Sequence, residues 1–226
     1  MMKDSCGEAK QDQLGQVWRL RRAIEGDADE VVEMVNRCYR DGLSWSDESG
    51  LIGGPRVTIE EVLHVVRREW DEIIYVLEQV QDPKSNLLGC VRVSWSAKSF
   101  VGTLDRPHGH VGMLSVSPKA QSRGIGGFLL AWAEWICSSV GLMTNMSMEV
   151  LDARRDILPW YTSKGYQVTD QWRDAAEALG AFPYAIVHKP CRFLLLIKYM
   201  DQKPSIREHI EVLETRNNVC LEVQKC

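Results

Sequence analysis

The 226-residue chain has no run approaching the ~20 apolar residues of a membrane span. It has no surplus of positive charge either: 27 Lys and Arg stand against 31 Asp and Glu, a formal net charge of −4. Broad electrostatic binding to nucleic acid is therefore not expected. No Cys-x-x-Cys pair occurs, and no cysteine has a histidine at metal-ligand spacing, so no metal site is expected. Seven cysteines lie scattered at 6, 38, 90, 137, 191, 220 and 226. Their odd number fits reduced thiols in a cytoplasmic protein, with Cys38, Cys90 and Cys137 as small residues of apolar segments. Residues 1–16 lack the apolar stretch of a secretory leader and read as a polar tail. No repeat or low-complexity linker interrupts the chain beyond that tail.

The composition suits one domain with a well-buried core. Val17 to Ala23 reads as a first strand. Asp27 or Asp29 then caps a helix with its apolar stripe at Val31, Val32, Val35 and Cys38. RDGLSWSDESGLIGGPR is loop. Thr58 and Glu61 make a capping box for a second helix bearing Ile59, Val62, Val66 and Trp70. IIYVLEQ and LLGCVRVSWS flank the turn QDPKSN and predict a hairpin. VGMLSVS, NMSMEVL, YQVT and RFLLLIKYM are further strands, and helices are expected after the glycines at 124–127 and at RRDILPWYTSK. In the tail, Ile206, His209, Ile210 and Leu213 recur at helical spacing. The order predicts a mixed α/β sheet in a single domain over 17–200, with 201–226 as a helical extension.

QSRGIGG, residues 121–127, is the chemically informative stretch. Glycines ahead of an apolar helix let backbone N–H groups approach an anion, although they equally permit tight helix–strand packing. A Walker loop is excluded because Gly127 is followed by Phe128 and Leu129, not Lys-Ser/Thr. A dinucleotide fingerprint is excluded because Leu129 stands at its third small position and SPKAQSR separates the glycines from the strand.

MLSVSPKAQSRGIGGFLL resembles motif A of the GCN5-related N-acetyltransferase (GNAT) superfamily on Val116, Pro118, Gln121, Gly124 and Gly126. WYTSKGY resembles the later motif of that family on Tyr161, Gly165 and Tyr166, and WRLRRAIEGDADEVVEMV looks like its first strand and helix. The resemblance implies a central mixed, mostly antiparallel sheet flanked by helices. It also implies acetyl-CoA as cosubstrate, held by Met113, Leu114, Ser115 and Val116 of one strand and by Gln121, Ser122, Arg123, Gly124, Ile125, Gly126 and Gly127 of the loop. Two positions depart from the family pattern: Arg154 stands where an asparagine is usual and Ile157 where an alanine is. Asp152 or the backbone is then expected to hold the pantetheine arm.

The activity so implied is acetyl transfer to a primary amine, with a small molecule as the first reading. A protein lysine or N-terminal acetyltransferase and a non-catalytic acyl-CoA-binding domain are the alternatives. Tyr161 is the implied acid for the leaving sulfur, since a phenol of pKa ~10 is protonated at neutral pH. Two residues compete for the base: Glu149, a carboxylate inside an apolar strand, and His110, which matches a channel histidine of arylalkylamine N-acetyltransferases. Tyr39, Trp45, Asp47 and Glu48 are candidates for binding a cationic amine, with Trp95 and the loop 100–108 as the opposite wall. No membrane partner is expected, and the assembly is read as a monomer or homodimer.

Overall fold

The structure is a computed structural model and describes residues 16–42, 44–68, 71–80, 87–96, 108–139, 143–200 and 205–224. The turn at 81–86, the loop 97–107, Trp70 and nearly all of the polar tail lie outside these residues. In chain order the elements are β1 (Gln16–Arg22), α1 (Ala28–Arg40), β2 (Ile52–Gly53), α2 (Ile59–Arg67), β3 (Glu72–Gln79), β4 (Leu87–Ser96) and β5 (His108–Val116). They continue with α3 (Ile125–Ser139), β6 (Asn145–Leu151), α4 (Leu158–Ser163), β7 (Gln167–Asp174), α5 (Ala175–Leu179), β8 (Ile186–Val187), β9 (Arg192–Tyr199), α6 (Ile206–Asn217) and β10 (Val219–Val223).

Eight strands form one sheet in the order β10-β1-β3-β4-β5-β6-β9-β7. Only the β1–β10 and β5–β6 pairs are parallel. The apolar run of β3 is continuous because this strand is covered on both faces. Ile73, Tyr75 and Leu77 face the core under α3, whereas Ile74 and Val76 face the core under α1 and α2. Helix α3 is apolar nearly all round because it lies between the sheet and α6, and Phe128, Leu129, Leu130, Trp132 and Ile136 are all buried. No helix of the described residues is long and apolar enough to cross a membrane.

A local signal decides the start of α2. Thr58 Oγ1 accepts from Glu61 N at 3.3 Å and Glu61 Oε2 accepts from Thr58 N at 2.8 Å, the reciprocal capping box expected at α2. Asp27 stands at the N-cap position of α1 but does not cap it. Its carboxylate instead accepts from Ile24 N at 2.7 Å and holds the Arg21 guanidinium at 2.7 and 2.9 Å. A half-buried arginine outcompetes the helix for that side chain.

The tail contains the expected helix, with Ile206 and Leu213 buried and Ile210 partly buried against the core. It also contains a strand that periodicity did not reveal. VCLEV, five residues, adds to the sheet beside β1, register Gln16↔Val219 to Leu20↔Val223. Asn218, in the left-handed region at φ 51°, makes the turn from helix to strand. Cys38, Cys90, Cys137 and Cys191 are free and buried. Cys220 is disulfide-bonded, contrary to the expectation of uniformly reduced thiols. Cysteine count and spacing do not say which side chains the fold brings together.

Candidate active site

The site begins with one extra residue in β5. Opposite β4 the register runs Arg92↔Gly112 and then Cys90↔Ser115, so Met113 and Leu114 together oppose Val91. This is a β-bulge, and Met113 takes the unusual φ of 51° to make it. On its other side β5 pairs with β6 only at Gly109↔Met146 and His110↔Ser147. Beyond those two pairs the strands part. Two hollows open along the split: a cavity of about 540 Å³ and a groove of about 360 Å³. Leu114, Ile157 and Tyr161 line both, so they mark the junction.

The glycine loop forms the floor of the groove. Ser122 at φ 63° and Gly124 at φ 86° turn the chain into α3. A Cβ on Gly126 would meet Val116 Cγ2 at 3.6 Å and Trp160 Cζ2 at 4.0 Å, both groove residues, so a side chain there would take up the space between the walls. Bare backbone at a helix start, open to a groove, fits a pyrophosphate. The other loop residues do different work. Gln121 Nε2 donates to Val116 O at 3.1 Å and to Ser44 Oγ at 2.8 Å, so its amide braces the loop and is not free for a phosphate. Arg123 lines neither hollow: its guanidinium stacks over Trp18 at 4.5 Å and donates to Asn217 Oδ1 at 2.9 Å. Ser115 is buried and Asp152 accepts from Arg192 N at 3.1 Å, and neither lines the groove.

The cavity holds the titrating groups. His110 Nε2 lies 3.7 Å from Glu149 Oε2, with side-chain exposures of 17 % and 13 %. His110 Nδ1 is 3.1 Å from Ser147 Oγ, and that hydroxyl donates to Gly109 O at 3.3 Å. The ring is thus fixed between Ser147 on its Nδ1 side and Glu149 on its Nε2 side. Burial pulls the His110 pKa down to about 3, and the charges of Arg92, His108 and Arg56 act in the same direction. The ring is therefore neutral at physiological pH. Burial raises the Tyr161 phenol well above its ordinary value, with Tyr39 and Glu48 adding to the rise, so it keeps its proton.

The acceptor-side residues divide between the two hollows. Tyr39 lines the cavity, donates to Leu114 O at 3.0 Å and lies under the Arg56 guanidinium at 5.3 Å. Glu48 lines it too, paired with Arg40 at 3.2 Å. Trp45 lies in the groove instead, edge-on to Trp160 at 5.8 Å. Asp47 is used locally, accepting from Gly42 N and Ser49. Trp95 packs against the core and lines neither hollow, and most of the expected opposite wall lies outside the described residues.

Among the described residues, one wall of the cavity comes from a segment that showed no usable signal. Residues 175–187 supply Leu179, Phe182, Tyr184 and Ala185 to the cavity, and β8 in the same segment pairs with β2. Tyr184 donates to Glu61 Oε1 at 2.7 Å, so the carboxylate that caps α2 also holds this segment. Gly54 at φ 80° permits the close approach, since a Cβ there would run into the Tyr184 carbonyl. Arg154 is the second surprise. Its buried guanidinium donates to Trp45 O at 2.8 Å, to Ser46 O at 2.9 Å and to Asp156 at 2.9 Å, tying the 44–48 loop to the start of α4.

Residues 70–168 match the acetyltransferase (GNAT) domain family. The matched stretch runs from just before β3 into β7 and so includes the bulge, the glycine loop and Tyr161. No curated protein matches it in sequence. Among solved structures, the GNAT fold is shared with an acetyltransferase of Streptococcus pneumoniae at 16% identity and TM-score 0.56, covering 81% of this chain and 99% of that one. Arabidopsis thaliana NAA60, solved with acetyl-CoA, aligns at 12% identity and TM-score 0.60, covering 82% of this chain and 100% of its own. A spermidine N-acetyltransferase SpeG chimera from Vibrio cholerae and hSSAT aligns at 12% identity and TM-score 0.53, covering 81% and 95%.

Proposed function

We propose that this protein is a GNAT acetyltransferase that transfers the acetyl group of acetyl-CoA to the primary amine of a small molecule. One observation carries the reading: a cavity in which His110 faces Glu149 shares Leu114, Ile157 and Tyr161 with a glycine-floored groove. Bound acetyl-CoA supplies the activated acyl group as a thioester. Groove residues Gly124, Ile125, Gly126 and Gly127 bind its phosphates through backbone N–H groups, and Leu114 and Val116 line the way to the cavity.

The chain's own residues then handle protons and charge. An amine reaches the cavity as an ammonium and must lose a proton before it has a lone pair. Glu149 Oε2 is the acceptor we assign, with the neutral His110 ring holding the other side of the amine. A backbone N–H beside the bulge, at Leu114 or Ser115, faces the carbonyl oxygen as it gains charge. Tyr161, protonated throughout the working pH range, gives its phenolic proton to the departing sulfur. Leu179, Phe182 and Tyr184 narrow the cavity, which favours a small acceptor.

The test is thiol release from acetyl-CoA against a panel of amines and of peptides, with Tyr161→Phe alongside. Turnover on small amines, lowered about tenfold or more by Tyr161→Phe with acetyl-CoA affinity unchanged, is expected. Turnover on peptides alone would identify a protein acetyltransferase. Acetyl-CoA binding without turnover on any acceptor would leave a binding domain.

A further inference from the structure

Fifteen described residues line the groove, and one of them carries a charge. It is Arg216, and it comes from neither family motif but from α6 in the C-terminal tail. Its Nη2 donates to Ser122 O at 2.8 Å, and its Nη1 lies 3.6 Å from where a Cβ on Gly124 would stand. No carboxylate pairs with it among the described residues. An arginine held over a bare glycine loop, with donors left over, is a site for a planar or tetrahedral oxyanion.

The placement is built. Ile206 and Leu213 anchor α6 in the core. Asn217, next to Arg216, fastens the helix end to the loop in both directions: its Nδ2 donates to Arg123 O at 3.1 Å and its Oδ1 accepts from Arg123 Nε at 2.9 Å. Strand β10 then secures the chain beyond the helix by pairing with β1, and Glu214 Oε1 accepts from Leu221 N at 2.9 Å. The tail therefore cannot swing away without breaking both a sheet edge and the loop contacts.

We infer that Arg216 is a phosphate ligand of the coenzyme, so that the C-terminal helix completes a site the glycine loop only begins. This rests on the coenzyme reading above. Backbone N–H groups and the α3 dipole supply partial charges, whereas a coenzyme carries several full negative ones. Arg216 contributes the full positive charge that the loop itself lacks, because Arg123 is turned away onto Trp18.

The experiment is calorimetric binding of CoA and of pantetheine, which lacks the phosphates, to the full chain and to Arg216→Ala, Arg216→Gln and Arg216→Lys. Loss of one charge-assisted contact predicts CoA binding roughly ten- to a hundredfold weaker in the Ala and Gln variants. Pantetheine affinity should stay unchanged, Arg216→Lys should keep most of the CoA affinity, and the salt dependence should flatten in Ala and Gln. If Arg216→Ala fails to fold, the Lys and Gln pair decides the same question. Wild-type CoA affinity in the Gln variant, or an equal loss for CoA and pantetheine, overturns the inference. A wild-type protein that binds no CoA overturns the coenzyme reading itself, which is a separate result.

Discussion

His110 Nε2 and Glu149 Oε2 face each other at 3.7 Å across two strands that have just stopped pairing. His110 is opposite Ser147 in the last β5–β6 pair, and Glu149 is two residues on, on the same face of β6. The ring therefore touches both, Ser147 through Nδ1 and Glu149 through Nε2. An ionised carboxylate only accepts, so a donor placed beside Oε2 is favoured. An amine losing its proton is such a donor.

Replacing Glu149 by Gln removes the charged acceptor and keeps the shape. At neutral pH, kcat/KM for the preferred amine should fall about a hundredfold. The deficit should shrink as pH rises toward the amine pKa of ~10, where the free base needs no assistance. A pH profile from about 6 to about 10 checks this. Parallel profiles for the two proteins would remove Glu149 from the proton path.

The depressed pKa of His110 also bears on stability. Its folded value of about 3 lies below the ordinary 6.5, so between these pH values the unfolded chain holds more protons. Stability from this group is complete above pH 6.5 and is lost as pH falls toward 3. The slope inside the window is at most about 1.4 kcal/mol per pH unit. Denaturant titrations at about pH 7 and about pH 5 should show a smaller loss for His110→Asn than for the wild type. An equal loss would mean that Glu149 offsets the burial.

Arg154 should matter more for the fold than its surface-type chemistry suggests. The side chain is 7% exposed and bonds two loop carbonyls as well as Asp156. Arg154→Met fills the volume but leaves Trp45 O and Ser46 O without donors, a cost of roughly 2–3 kcal/mol. Arg154→Lys should recover little, since an ammonium cannot span the same fork. Urea unfolding measures both, and a Met variant within about 0.5 kcal/mol of the wild type would show that water replaces the guanidinium.

Much of this site was legible in the chain. The Thr58–Glu61 box, the two-sided apolar run of β3 and the spacing of QSRGIGG to WYTSKGY each carry their information within a few residues or one motif. Local chemistry sets them: a cap needs a partner three residues away, and a left-handed turn needs Gly124. The roles of Gln121, Arg123, Asp152 and Trp45 were not legible, because a side chain's partner is chosen among distant neighbours. Gln121 chose Ser44, Arg123 chose Trp18 and Asn217, and Asp152 chose Arg192.

The sequence by itself determined the mixed sheet, the start of α2 and the glycine loop, since periodicity, capping and backbone sterics act over one or two turns. Only the tertiary structure decided that Met113 and Leu114 share one partner and that His110 meets Glu149. It also decided that a distant helix sets Arg216 over the loop, the Arg216–Ser122 contact being 94 residues apart in the chain. Those outcomes depend on strand register and on which edge is left open for β10, and neither is written in any local pattern.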